Sequence, residues 1–267
     1  MHNYSQMKKV FFLLLFITLT ITSFSGEIVL KGVYQGQNLF VMNPFSASGV
    51  GFCVYEVTVN GSVTTDEINS SAFEIDLSIY QFKIGDKLVI KIKHKENCTP
   101  KILNPEVIKP KSTYKLTSIK VDRNGILSWT TTQETGSLPY IVEQFRWNKW
   151  VKVAKIPGKG NRGINNYSTK VRPHSGNNKF RVKQIDYTKK PRYSREVNFR
   201  SLKPPVTFSP LKPTTEIVFS RETMYEIYDY YGNLILKGYK AKINISGLKK
   251  GDYFLNYDTK TGRFKKK

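Results

Sequence analysis

Phe52-Cys53-Val54-Tyr55-Glu56-Val57-Thr58-Val59-Asn60-Gly61 is the stretch that decides the fold class. β-branched and aromatic residues fill it, and it runs into an Asn-Gly pair, the strongest short-range hairpin signal because both positions of a tight turn need positive φ. Further strands follow at Ala72 to Leu77 and Lys87 to His94. In the second of these, Leu88, Ile90 and Ile92 alternate with Lys87, Val89, Lys91 and Lys93, the period of two of a half-buried strand. No later stretch keeps an apolar period of 3.6 for long, and Gly, Pro and Asn turns cut the chain at close intervals. The prediction is an all-β protein of three consecutive small antiparallel β-sandwich modules after a signal peptide.

The signal is read at the N-terminus. Met7-Lys8-Lys9 precedes the apolar run Val10 to Ile21 and then Thr22-Ser23-Phe24-Ser25-Gly26, a charged, apolar and small-residue succession that predicts a removed export signal over 1–25. The run is shorter than the roughly 20 residues of a membrane span, and no later stretch qualifies, so no transmembrane segment is expected once the signal is gone. No Cys lies near the cleavage site, which argues against a lipoprotein. Two Pro-rich joints, Asn104-Pro105 to Lys109-Pro110-Lys111 and Leu202-Lys203-Pro204-Pro205 through Lys212-Pro213, divide the remainder into 26–111, 112–200 and 201–267. Export implies an oxidising compartment, in which Cys53 and Cys98 pair. The expected bridge joins an early strand to the end of a late one across the two sheets of the first module, a stabilisation of about 2–4 kcal/mol.

Composition sets the functional question. The 267 residues carry 43 Lys and Arg against 20 Asp and Glu, a formal +23, with 39% apolar residues. That apolar content excludes a disordered polycation, and two Cys exclude a zinc cluster. The charge is uneven: residues 26–111 are neutral, 112–200 carry +14 and 201–267 carry +7. Lys179, Arg181 and Lys183 alternate with Phe180, Val182 and Gln184, so one face of that strand presents a row of cations. Lys189, Lys190, Arg192 and Arg195 follow, and Arg146, Lys149, Lys152 and Lys155 fall on strands expected in the same sheet. Two readings stay open. The row is an anion- or partner-binding face for an acidic protein, an anionic envelope glycan or lipopolysaccharide, or it is a solvated surface in a chain biased towards Lys, Asn, Ile and Tyr. Nucleic acid is not expected, because no groove-reading element is present.

Catalytic signatures are missing. His94 and His174 are the imidazoles outside the signal, and both read as solvated surface residues. Glu143, Asp186 and Glu196 lie on separate strands, Asp66-Glu67 lacks the alternating oxygen ligands of a calcium loop, and no phosphate-binding Gly loop occurs. The expectation is therefore no catalytic residue, no cofactor and no metal. Trp147-Asn148-Lys149-Trp150 bridges two strands and reads either as a sugar-stacking platform or as one inward Trp and one covering the turn. Tyr228, Tyr230 and Tyr231 read as cross-strand packing.

Two segments resemble known families. Strand-like runs at Leu116 to Val121, Ile126 to Thr130 with Trp129, Tyr140 to Phe145, Trp150 to Ile156, Asn166 to Val171, Lys179 to Tyr187 and Tyr193 to Phe199 give seven strands in a sandwich outline. With Gly158-Lys159-Gly160-Asn161 and Phe180-Arg181-Val182-Lys183-Gln184-Ile185-Asp186-Tyr187, the segment 112–200 resembles the fibronectin type III-like repeats of Bacteroidetes surface proteins. It departs from them at Lys189-Lys190, where the family has Asp and Gly in a tight turn. The segment 201–267 resembles the type A C-terminal sorting domain of type IX secretion cargo, in degenerate form and without the usual Asn-Pro start. The matching residues are Tyr225-Glu226-Ile227-Tyr228-Asp229, Gly232-Asn233, Leu248, Gly251, Tyr253 and the closing Lys265-Lys266-Lys267. The resemblance implies an exported cell-surface or extracellular binding or adhesion protein that meets type IX secretion components. The alternative is a structural accessory of the envelope, secretion or gliding machinery at the periplasm or outer-membrane periphery, with its C-terminal domain retained.

Overall fold

The computed structural model describes residues 26–47 and 49–267, so the export signal expected over 1–25 lies outside the described residues. The strands fall into three sets that share no sheet. The first comprises β1 (Gly26–Val33), β2 (Leu39–Met42), β3 (Val54–Val59), β4 (Ser62–Val63), β5 (Ala72–Ile75), β6 (Lys87–His94) and β7 (Lys101–Ile102). A four-stranded sheet in the order β1-β6-β3-β4 faces a three-stranded sheet β5-β2-β7. Leu88, Ile90 and Ile92 are buried at 0–1% exposure while Lys87 and Lys91 face out, so the alternation in β6 builds one wall of the core. The Asn60-Gly61 pair turns β3 into β4 with φ of 49° and 92°.

Cys53 and Cys98 form a disulfide. It does not cross between the sheets. Cys53 immediately precedes β3, Cys98 follows β6, and those strands are hydrogen-bonded neighbours with Val54 opposite His94. The bridge ties the ends of two paired strands at the point where the chain leaves one sheet for β7 in the other.

The central set is β8 (Lys115–Val121), β9 (Ile126–Thr132), β10 (Tyr140–Arg146), β11 (Lys149–Ile156), β12 (Asn165–Lys170), β13 (Gly176–Ile185), β14 (Pro191–Tyr193) and β15 (Val197–Ser201). The sheet β12-β9-β8 faces β11-β10-β13, which β14 and β15 extend by pairing successive halves of β13. This is a two-sheet antiparallel sandwich, the architecture that the resemblance of this segment implies. The last predicted strand is thus two strands, because Ser194 interrupts it: its Oγ accepts from Val182 N at 2.9 Å, and its own N–H donates to Val182 O. Trp129 stacks on Tyr167 at 5.2 Å and meets Tyr140 edge-on at 5.6 Å, and these rings fill the core.

The third set is β16 (Phe208–Ser209), β17 (Glu216–Tyr228), β18 (Leu234–Asn244), β19 (Gly251–Tyr257) and β20 (Lys260–Lys266), all in one sheet. Its layers come from bending rather than from two separate sheets. The β17–β18 register shifts between Val218 and Thr223, and the bend brings Phe219 within 5.8 Å of Tyr257 from the far half. Each set has its own apolar cluster. Among the described residues no helix is long and apolar enough to cross a membrane.

Candidate functional site

The outer face of the central module carries the row predicted on β13. Phe180, Val182 and Gln184 are buried, and Lys179, Arg181 and Lys183 point outward. Glu143 of β10 lies opposite Arg181 and is only 4% exposed. Arg181 Nε donates to Glu143 Oε2 at 2.8 Å, and Lys183 Nζ pairs with the other oxygen of the same carboxylate. The Arg181 guanidinium is sandwiched between the rings of Trp150 and Tyr193, 4.1 and 4.0 Å from their centroids. Lys183 also reaches over Tyr193, while Lys179 lies over Phe145 and 3.6 Å from Glu196. Three cations, the rings and two carboxylates interleave into a ladder that offsets most of its own charge and stiffens the sheet.

The remaining predicted cations have separate fates. Lys189 sits at φ 62° in the turn after β13, donating its N–H to Asp186 O, and Lys190 follows it there. Burial pushes the Asp186 carboxyl up, but hydrogen bonds from Ser112 and Thr188 and the Lys111 charge hold it below the ordinary carboxylate value. Arg192 donates to Tyr114 O at 3.1 Å and Ser112 O at 3.4 Å, clamping β14 to the chain that enters β8. Lys152 is exposed, on β11 opposite Glu143 in register. Arg146 does not join the face. It is 3% exposed, because its strand position points inward and the third module covers it.

That covering contact is a polar joint between the central and C-terminal modules. Asp258, in the turn between β19 and β20, is fully buried. Its carboxylate accepts from Ser175 N at 3.0 Å, from Ser175 Oγ, and from Val206 N at 3.1 Å, with Arg221 at 3.5 Å. Burial pushes this carboxyl up, but those donors and the Arg221 cation together hold it below the ordinary value. Arg146 donates to Gln144 Oε1, to Arg172 O and, at 3.4 Å, to Asp258 O. Burial lowers its guanidinium to about 10 despite the nearby Asp258 charge. Lys149 completes the joint, donating to Glu226 Oε2 at 2.7 Å and Tyr228 Oη at 2.8 Å. Three basic residues of the central module, Arg146, Lys149 and Arg172, thus face the third module, with Arg172 stacked on Tyr239 at 4.2 Å.

Isolated acids in loops, which no motif singles out, organise this chain. Glu134 is 2% exposed and accepts from Thr131 Oγ1, Tyr140 Oη, Tyr167 Oη and Gly160 N, pinning the β9–β10 loop to the β11–β12 loop. Tyr140 and Tyr167 are held well above the ordinary phenol value, first by burial and further by that carboxylate. His174, expected on the surface, is 5% exposed, with its Nδ1 2.7 Å from Ser175 O. Burial lowers its imidazole. His94 lies beside the disulfide, with ligand atoms of Cys53, His94 and Cys98 within 4.8 Å of one another, but the disulfide occupies both sulfurs.

The aromatic candidates divide. Trp147 and Asn148 form the β10–β11 turn, both at positive φ. The Trp147 ring lies 5.9 Å from both Arg146 and Lys149, and Trp150 lies under Arg181, so cations already flank both indoles. Tyr230 and Tyr231 are 75% and 87% exposed at the tip of the β17–β18 hairpin and pack across no strand, whereas Tyr228 is held in the joint.

In the third module Gly232 turns at φ 86° and Asn233 binds Asp229 through its N–H and amide, closing the β17–β18 hairpin. Gly251 opens β19 at φ 151°, Tyr253 is buried against Phe264, and Leu248 packs on the same core. Lys265 N donates to Leu211 O and Lys267 N to Pro213 O, while Lys266 is 8% exposed. Residues 209–267 match the secretion system C-terminal sorting domain. The match covers most of the third module, including β17 to β20. Among solved structures, a tetra-tandem repeat from the extending region of a large adhesion protein aligns at 12% identity and TM-score 0.33, over 91% of this chain and 75% of that one. The FN1–FN3 domains of chicken CNTN1 align at 13% identity and TM-score 0.24, over 89% and 90%. Dimeric latent PorU from Porphyromonas gingivalis aligns at 13% identity and TM-score 0.20, over 91% of this chain and 29% of PorU. A search of curated proteins gives no match.

Proposed function

We propose that the chain is a non-enzymatic binding or adhesion protein of the cell surface, exported through a type IX system by its C-terminal module. The observation that carries this reading is the sorting-domain match over 209–267. A binding role rather than catalysis is supported by how the reactive groups are engaged. Glu134, Asp258 and Glu143 each direct both carboxylate oxygens at structural donors, and His174 is walled in at the joint. The net +14 of the central module favours an anionic partner. Fractionation of cells with and without a working type IX system tests the reading: the chain reaches the surface or medium only in the first. Full-length chain held in the periplasm of both strains overturns it.

The second reading, an envelope accessory that keeps its C-terminal module, is favoured by the buried Asp258 joint. A tag that is to be removed needs a module that separates, and here Asp258 of the third module is fully buried against Ser175 and Val206, although the linker residues 202–205 themselves are exposed. Retention in both strains is the outcome this reading expects.

A further inference from the structure

A second group of cations lies where the central and C-terminal modules meet. Arg123 of the β8–β9 turn, Lys170 at the end of β12, Arg172, Arg200 of β15 and Lys203 of the linker line one open cavity of about 880 Å³. Its one carboxylate is Glu222. None of these six groups takes part in a salt bridge among the described residues, whereas Arg181, Lys183, Lys149 and Arg221 all do. Like charges gathered on the walls of a cleft repel one another and focus a positive field into it, a cost that an entering anion relieves. Two of the cations are already fixed, Lys170 by donating to Asn124 O and Arg172 by stacking on Tyr239. Arg123, Arg200 and Lys203 extend freely from three different elements.

The rest of the lining narrows the class of ligand. Leu202 is 91% exposed at the edge of the cavity, and Phe199 and Pro173 add half-buried apolar surface. A sugar needs an open aromatic face, and the Tyr239 ring already carries Arg172. Carboxylates spaced by apolar side chains match both components, and the volume lies within the roughly 300–1,000 Å³ of ordinary ligand sites. We propose that this cleft binds an acidic polypeptide segment whose carboxylates alternate with apolar side chains. The proposal gives the binding role above a site and a partner class. It is tested on purified protein, so that it fails separately from the export reading.

The experiment is fluorescence anisotropy on the chain from Gly26 onward with a fluorescein-labelled decapeptide of alternating Glu and Leu. An all-Glu decapeptide, a heparin fragment and anionic phosphatidylglycerol vesicles serve as competitors. Arg123→Glu with Arg200→Glu weakens the Glu-Leu peptide about tenfold or more, and the charge-matched pair Lys83→Glu with Lys101→Glu, exposed on the first module, changes it less than about threefold. Arg123→Lys with Arg200→Lys restores most of the affinity. Leu202→Ser weakens the Glu-Leu peptide and leaves the all-Glu peptide unchanged. Circular dichroism confirms folding, and among the described residues neither arginine side chain makes a hydrogen bond, ion pair or ring contact whose loss would disturb it. Equal losses from the two charge pairs, absence of saturable peptide binding, or tighter cleft-dependent binding of heparin or vesicles overturns the proposal.

Discussion

The outer face of β13 and the cleft at the module joint carry the same residue types in opposite states. On the face, Arg181 and Lys183 converge on one buried carboxylate and the guanidinium is flanked by two rings. In the cleft, Arg123, Arg200 and Lys203 form no salt bridge among the described residues, although Glu222 lines the same cavity. The first arrangement is satisfied internally and contributes to the stability of a sheet; the second is left to solvent or to a ligand. A row of cations in a sequence therefore says little about availability, since what counts is whether the fold supplies a counter-charge. The joint makes the same point, because Lys149 is a central-module cation already paired with Glu226 of the third module.

The largest effect is expected at the joint. Asp258→Ala removes the acceptor of Ser175 and Val206 and the counter-charge of the buried Arg146, costing about 3–5 kcal/mol. Urea unfolding then separates into two transitions as the third module undocks. The pH profile identifies the cause. The Asp258 carboxyl titrates below its unfolded value of 3.8, so its contribution is fully present above that value and is lost as pH falls through the lower folded one. The wild-type chain undocks in acid, and Asp258→Ala flattens that limb. A single unchanged transition at every pH would show that apolar contacts alone hold the modules together.

Next comes the face itself. Glu143→Ala strands Arg181 and Lys183 without their carboxylate and destabilises by about 2 kcal/mol, discounted from the fully buried case because both cations retain some solvent contact. Arg123→Ala in the cleft changes stability by less than about 0.5 kcal/mol, because it has no partner to lose. Thermal unfolding of the two variants measures the contrast directly. Equal losses would erase the distinction between paired and unpaired cations.

Much of the fold was legible, because it rests on local signals. The alternation in β6 and β13 and the Asn60-Gly61 turn depend on neighbours in sequence. The errors came where tertiary contacts decide. Arg146 and Lys179 look alike in the sequence, but an interior strand position and the third module bury the first. Ser194 splits a strand by bonding to Val182, twelve residues earlier, which no propensity reports. Glu134 and Asp258 are single acids in turns, and their importance follows from donors that converge on them through the fold. The cleft is the least legible feature, since Arg123 and Lys203 lie eighty positions apart in a chain where a basic residue is never far away.

The smallest expected effect separates backbone from charge at the edge of the same face. Lys189 holds φ 62°, a conformation that costs an L-residue about 1–2 kcal/mol and glycine almost nothing. Lys189→Gly therefore stabilises by about 0.5–1 kcal/mol once the greater freedom of glycine in the unfolded chain is subtracted. Lys189→Ala removes the same charge but keeps the strain. If both variants gain equally in melting temperature, relief of repulsion among Lys189, Lys190 and Arg192 is the cause, and the face is less neutral than its ion pairs imply. If glycine alone gains, the turn is strained by its backbone, and the cations of this face are as well compensated as the ladder of Glu143, Arg181 and Lys183 indicates.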